Sequence, residues 1–108
     1  MDNSNVVAKM ISLIEKIQSY IKDFDYDNFS KNEIIVEACA FNFSQLGELS
    51  HKLEEEFQQN NPSIPWKAIY GMRNKIIHDY DGINLKVVWE TITEDLPVLL
   101  EQLKKIVK

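Results

Sequence analysis

A single arginine stands among twelve cationic side chains, the other eleven being lysines, and it stands where a charge is unwelcome. Projected at about 100° per residue, the segment beginning at Trp66 puts Trp66, Ile69, Tyr70, Ile76, Ile77 and Tyr80 on one helical face, with Arg73 in its middle. A guanidinium offers five donors in a planar fork that matches a carboxylate or a phosphate, whereas a lysine is a compact point charge. Buried without a partner it would be costly, so Arg73 must meet an acid or face a cleft that takes an anion. Asn74 and His78, four residues apart, stack one turn above the other. His78 lies near the helix carboxyl end, where the macrodipole favours an imidazolium. Tyr80 follows Arg73 by two turns on nearly the same line. A fixed cation, an amide, a titratable imidazole and a phenol are the parts of a phosphate-handling site. The imidazole can move protons near neutral pH, and the guanidinium can stabilise charge developing on phosphoryl oxygens.

The plainer reading is a structural ion pair for Arg73 and a helix cap for His78. One helix does not complete a site in any case: five residues turn about 140°, so the Arg73 and His78 side chains diverge. Two symmetry-related copies meeting at this segment would supply enough groups around one phosphate.

The elements that must carry these residues are helices. Val7, Met10, Ile11, Ile14, Ile17, Ile21 and Phe24 recur at threes and fours and predict a first helix from about Ser4 to Lys22. Ser30 with Glu33 reads as a capping box that opens a second helix running to about Gln58 through Ile35, Cys39, Leu46, Leu49, Leu53 and Phe57. Ile34 and Phe41 lie off that stripe, so the second helix has a further apolar face, and a partner subunit is the simplest cover for it. Gln59 to Ser63 form a loop, Pro65 suits the first turn of a third helix ending near Tyr80, and Asp81-Gly82 closes it. Asn84 can cap a fourth helix through Val88, Ile92, Leu96 and Leu103, which Pro97 should kink or split near Glu94. The expected fold is all-α: an up-and-down antiparallel four-helix bundle in one domain spanning residues 1–108.

Composition narrows the class. The chain has 108 residues, 44% of them hydrophobic and 27% charged, which suits one globular core rather than disorder. The single cysteine, Cys39, excludes an intramolecular disulfide and a cysteine-rich zinc site and fits a reducing compartment. The amino terminus lacks a signal-peptide pattern, and no apolar run approaches the roughly 20 residues of a membrane helix. The expectation is a small, soluble, acidic, cytoplasmic protein with no membrane partner.

Arg73, four residues beginning with Asn74, and then His78-Asp79-Tyr80 resemble the RX4HXY signature of HepT-like toxins in the HEPN superfamily. Pro65-Trp66-Lys67-Ala68-Ile69, Gly71-Met72, Leu46-Gly47-Glu48, Val88-Trp89-Glu90 and Asp95-Leu96-Pro97 are similar to the same family, so the resemblance covers roughly residues 5–105. It implies a homodimer with two Arg/His motifs in a shared cleft and a metal-independent endoribonuclease that needs no cofactor. His78 would promote attack by the 2′-hydroxyl or protonate the leaving oxygen, Arg73 would bind the scissile phosphate, and Asn74 would orient the site. The products would be a 2′,3′-cyclic phosphate and a 5′-hydroxyl end. The resemblance also implies a toxin of a type II or type VII-like pair. Its antitoxin partner would be a minimal nucleotidyltransferase (MntA-like) that transfers AMP from ATP to Tyr80, filling the cleft and occupying the cation meant for RNA.

The formal net charge of −5 is awkward for an enzyme that grips RNA, since non-specific affinity comes from basic surface. Lys67, Lys75 and Lys86 could make a local patch, although lysines on a helix are commonly just solvated. The second reading is therefore a non-catalytic HEPN module whose Arg73/His78 cleft binds nucleotide or docks the nucleotidyltransferase. The third is a helical scaffold in which Arg73 pairs with a carboxylate such as Glu48. Cys39 reads as core rather than nucleophile, and His51, with Glu54 and Glu55 nearby, as a solvated face rather than a metal site. Asn42 projects into the apolar stripe and needs partners, either tying helices together or pointing at the Arg73 cleft. Trp66 and Trp89 read as core.

Overall fold

The computed structural model describes residues 2–79 and 84–106, and of residues 74–79 the backbone alone. Among the described residues every regular element is helical. The first helix, α1 (Asn3–Tyr20), starts where the Asp2 carboxylate accepts from the Ser4 N–H, and it buries Val6, Val7, Met10, Ile14 and Ile17. It ends through Asp23, whose φ of 66° is left-handed, a conformation that a short polar side chain tolerates.

Two short helices depart from the four-helix expectation. Asp25 and Asn28 form a reciprocal capping box that opens α2 (Tyr26–Lys31). Ser30 is therefore not a cap; it lies inside α2 and donates to the Asp27 carbonyl. Asn32 does the capping instead, accepting from the Ile35 N–H at the start of α3 (Glu33–Lys52). The expected continuation to Gln58 is also broken. Leu53 turns extended with ψ 140°, and α4 (Glu55–Asn60) follows as a separate helix. Gln58 secures this corner by donating through Nε2 to the carbonyls of Ser50, which also accepts from Leu53 N–H, and of Leu53.

The next helix, α5 (Trp66–Asp79), begins directly after Pro65, whose carbonyl accepts from Ile69 N–H. The expected closure at Asp81-Gly82 lies outside the described residues. Asn84 occupies the N-cap position of α6 (Leu85–Glu90), its carbonyl accepting from Val87 and Val88. Pro97 acts as anticipated. It has no N–H to return to Thr93, and one π-helical turn (Thr91–Asp95) separates α6 from α7 (Leu96–Ile106), with Leu96 N–H reaching back to the Thr91 carbonyl.

The long helix α3 is central, packed against α1 on one flank and α5 on the other. Met10, Ile14 and Ile17 of α1, Cys39, Phe43 and Leu46 of α3, and Leu96, Leu99 and Leu103 of α7 belong to one buried cluster. Each such side chain contributes about 1.5–3 kcal/mol when removed from water. Asn3 to Glu54 (3.0 Å) ties the start of α1 to the far end of α3, and Lys104 to Glu15 (3.5 Å) ties α7 to α1. Asn42 is buried but bonds the Ala38 carbonyl one turn back, so its partner lies in its own helix rather than across to another. No helix among the described residues is long and apolar enough to cross a membrane.

Candidate functional site

Helix α5 places Arg73 by burying its neighbours. Trp66 and Ile69 are buried on the same face, and the Trp66 indole N–H donates to the carbonyls of Gln58 and Asn61. This pins the start of α5 and drives Arg73, on the line between them, against α3. The approach is close because position 47 of α3 is glycine. A Cβ there would lie 2.6 Å from the Arg73 Cβ, a separation that no packed pair of carbons tolerates. Gly47 thus admits the arginine stem between the helices.

The adjoining residue holds the head group. Arg73 Nε lies 2.8 Å from Glu48 Oε1, the side chains being 28% and 46% exposed. The carboxylate anticipated for a purely structural arrangement is therefore present. Its exposure limits what that pair contributes to folding, since ion pairs open to water are worth about 0–1 kcal/mol. The ion pair places the guanidinium beside the Glu48 carboxylate at the α3–α5 seam.

The same seam carries a second rung. His51, three residues after Glu48, stacks on Tyr70, three residues before Arg73, with ring centroids 4.5 Å apart and planes at 25°. The two rungs show that α3 and α5 run antiparallel. His51 is exposed, as expected, but it is not merely solvated: its ring covers Tyr70. No periodicity of a single helix signals this pair. It becomes visible only when the Glu48–Arg73 register is known, because the next rung then follows.

Asn74 and His78 are on the backbone of α5, His78 in its last turn and about 7.5 Å along the axis from Arg73. Tyr80 lies outside the described residues. Of the lysines expected near the motif, Lys67 lines a cleft with His51 and Tyr70, while Lys86 sits 5.9 Å over the Tyr26 ring. Cys39 is fully buried, and burial pushes its thiol up to about 12, which suits core and not a nucleophile. Trp89 packs on Phe29 at 5.1 Å. Ile34 and Phe41 are 78% and 64% exposed, so the additional apolar face of α3 is open in the isolated chain. Among the described residues no three His, Cys, Asp or Glu side chains group as metal ligands do.

The chain matches the family described as "Ribonuclease HepT-like" over residues 10–106. It is 35% identical over 96 residues to "Putative RNase TTE0752" of Caldanaerobacter subterraneus subsp. tengcongensis, an overlap covering 89% of this chain and 82% of that protein. It is 31% identical over 107 residues to "Putative RNase MJ1380" of Methanocaldococcus jannaschii, covering 96% and 98%. With "Probable ribonuclease HepT" of Thermococcus cleftensis it shares 30% identity over 95 residues, covering 88% and 86%. No solved structure matches it. An arginine seated against a glycine at the rim of two antiparallel helices, followed by Asn74 and His78 on the same helix, thus occurs in a chain that belongs to the HepT-like ribonuclease family.

Proposed function

We propose that this chain is a metal-independent endoribonuclease, the toxin of a type II or type VII-like toxin–antitoxin pair, acting as a homodimer through Arg73 and His78. The observation that carries the reading is the rim position of Arg73, packed against Gly47 and held by Glu48. In the reaction, the 2′-hydroxyl oxygen of one nucleotide bonds to the adjacent phosphorus and the bond to the 5′-oxygen breaks. A 2′,3′-cyclic phosphate and a 5′-hydroxyl result. His78 takes the 2′-hydroxyl proton or gives one to the leaving oxygen, Arg73 balances charge on the phosphoryl oxygens, and Asn74 orients the site.

A dimer is supported by the open face of α3. Ile34, Phe41 and Glu48 follow one another at intervals of seven, so they lie on one line that drifts only about 20° per step. The exposed apolar line therefore runs directly to the carboxylate that holds Arg73. A second copy seated on it brings a second Arg73/His78 motif to the same cleft, which answers the divergence of the two side chains on one helix. The long helices, with α6 and α7 taken as one rod, then form the up-and-down bundle. A minimal nucleotidyltransferase antitoxin would silence the dimer by adding AMP to Tyr80.

The test is cleavage of transfer and messenger RNA by the purified chain in EDTA, beside Arg73→Ala and His78→Ala. Cleavage by the parent alone, with cyclic-phosphate ends, is expected. The net charge of −5 favours the second reading, a non-catalytic module that binds nucleotide or the nucleotidyltransferase, and the Glu48 carboxylate on Arg73 favours the third, a helical scaffold. Folded but inactive parent and variants that still bind the nucleotidyltransferase would establish the second reading instead.

A further inference from the structure

We propose that the His51–Tyr70 stack, flanked by Lys67, is a binding subsite for an unpaired nucleobase of single-stranded RNA, one helical turn from the Arg73 phosphate position. The inference rests on the ribonuclease reading and adds what that reading lacks, a source of affinity in an acidic protein.

The geometry is that of a platform. Tyr70 is half-buried and His51 exposed, and their rings are nearly parallel at 4.5 Å. The stack therefore begins in the seam and ends outside it, in a heterocycle open to water. A flat exposed ring backed by a second ring is the surface on which unstacked bases settle, and it accepts any base because every base has a π-face. Lys67 is exposed and lines the same cleft, about 230 Å³ in volume, with Ser50, Gln58 and Trp66. Along α5 the order is Lys67, Tyr70, Arg73, at intervals of about 4.5 Å along the axis and about 60° around it. A cation thus lies on each side of the aromatic rung along the helix, where the phosphates flanking a stacked base can be met.

The occupant is single-stranded because a paired base cannot leave its helix to reach a ring. Stacking also explains how a chain with a net charge of −5 can hold RNA. Counterion release from a broad basic surface is not open to it, whereas stacking draws little on charge. His51 lies about 80–100° around α3 from Phe41 and Ile34.

A stack that serves only stability is the competing account, and the two separate in one experiment. The probe is a short single-stranded RNA, 2′-O-methylated so that it cannot be cleaved, carrying 2-aminopurine and a terminal fluorophore. Its binding to the full chain is followed by anisotropy and by quenching of the 2-aminopurine, with thermal melts of each variant. His51→Ala should weaken binding about tenfold and relieve the quenching, while His51→Phe, which keeps a flat ring, should bind within about twofold of the parent. Lys67→Ala should lower the slope of affinity against salt by about one ion, and His51→Ala should leave that slope unchanged. If both His51 variants bind as the parent does while Arg73→Ala loses the probe, the base subsite is wrong and the ribonuclease reading stands. If the parent itself binds no RNA, both fall together.

Discussion

The two flanks of α3 are built on opposite terms. On its buried side the helix puts Cys39, Phe43 and Leu46 into the hydrocarbon cluster shared with α1 and α7. Toward α5 it presents Gly47, Glu48 and His51, and the contact is a seam with a cation at its rim and an aromatic pair beside it. On the proposed function, one flank holds the fold and the other holds the chemistry, within a single helix of 20 residues. A rigid element buried along one side is what a precisely placed site needs, because the packed flank resists movement when the other binds a ligand.

Substitution should separate the flanks sharply. Arg73→Ala or His78→Ala should lower RNA cleavage by about 10² to 10³-fold, as removal of a charge-stabilising donor or a general acid does, with the melting temperature shifted by no more than a few degrees. Phe43→Ala in the buried cluster should do the reverse. It should cost about 3–5 kcal/mol in denaturant unfolding, and cleavage per folded molecule should stay near the parent's. A loss of activity in folded Phe43→Ala as large as that of Arg73→Ala would erase the distinction between the flanks.

Gly47→Ala tests the seam where the two roles meet. The added methyl must displace the Arg73 stem, so unfolding free energy should fall by about 1–3 kcal/mol. Cleavage should fall further than stability explains, by about 10 to 100-fold, because the guanidinium moves with its stem. Glu48→Gln acts more gently. The pair is open to water, so stability should change by less than about 1 kcal/mol. Removing a negative charge beside the phosphate should lower KM, while a less firmly held guanidinium should lower kcat. Parallel rise or fall of both constants would deny Glu48 its positioning role.

How much of this was legible in the residues depends on what each signal measures. The apolar period of α1 and the isolated arginine needed only one helix to be read, and both stood out. The end of α3 did not, because Leu53 falls on the apolar period whether or not the backbone is helical there. It stays buried in the extended turn, so periodicity cannot see the break. The start of α3 was misplaced for a related reason: Ser30, Asn32, Asp25 and Asn28 are all capping types, and only the geometry selects among them. The His51–Tyr70 rung needed the register between two helices, which no single segment contains.

Cys39 supplies the smallest effect, and it sharpens the contrast from the sealed side. Its burial raises the folded thiol to about 12, above the ordinary value of an unfolded thiol near 9. The unfolded chain therefore loses its proton first as pH rises, and between about 9 and 12 the folded state binds more protons than the unfolded. Stability falls across that window and is unaffected below it. Cys39→Ala should remove this alkaline slope while leaving cleavage near neutral pH unchanged. In the parent, iodoacetamide should label Cys39 only at the rate of unfolding, since alkylation requires an exposed thiolate. Rapid labelling of the native chain would mean that the α1–α3 flank opens on its own, and the seam would then lose the rigid backing that its geometry requires.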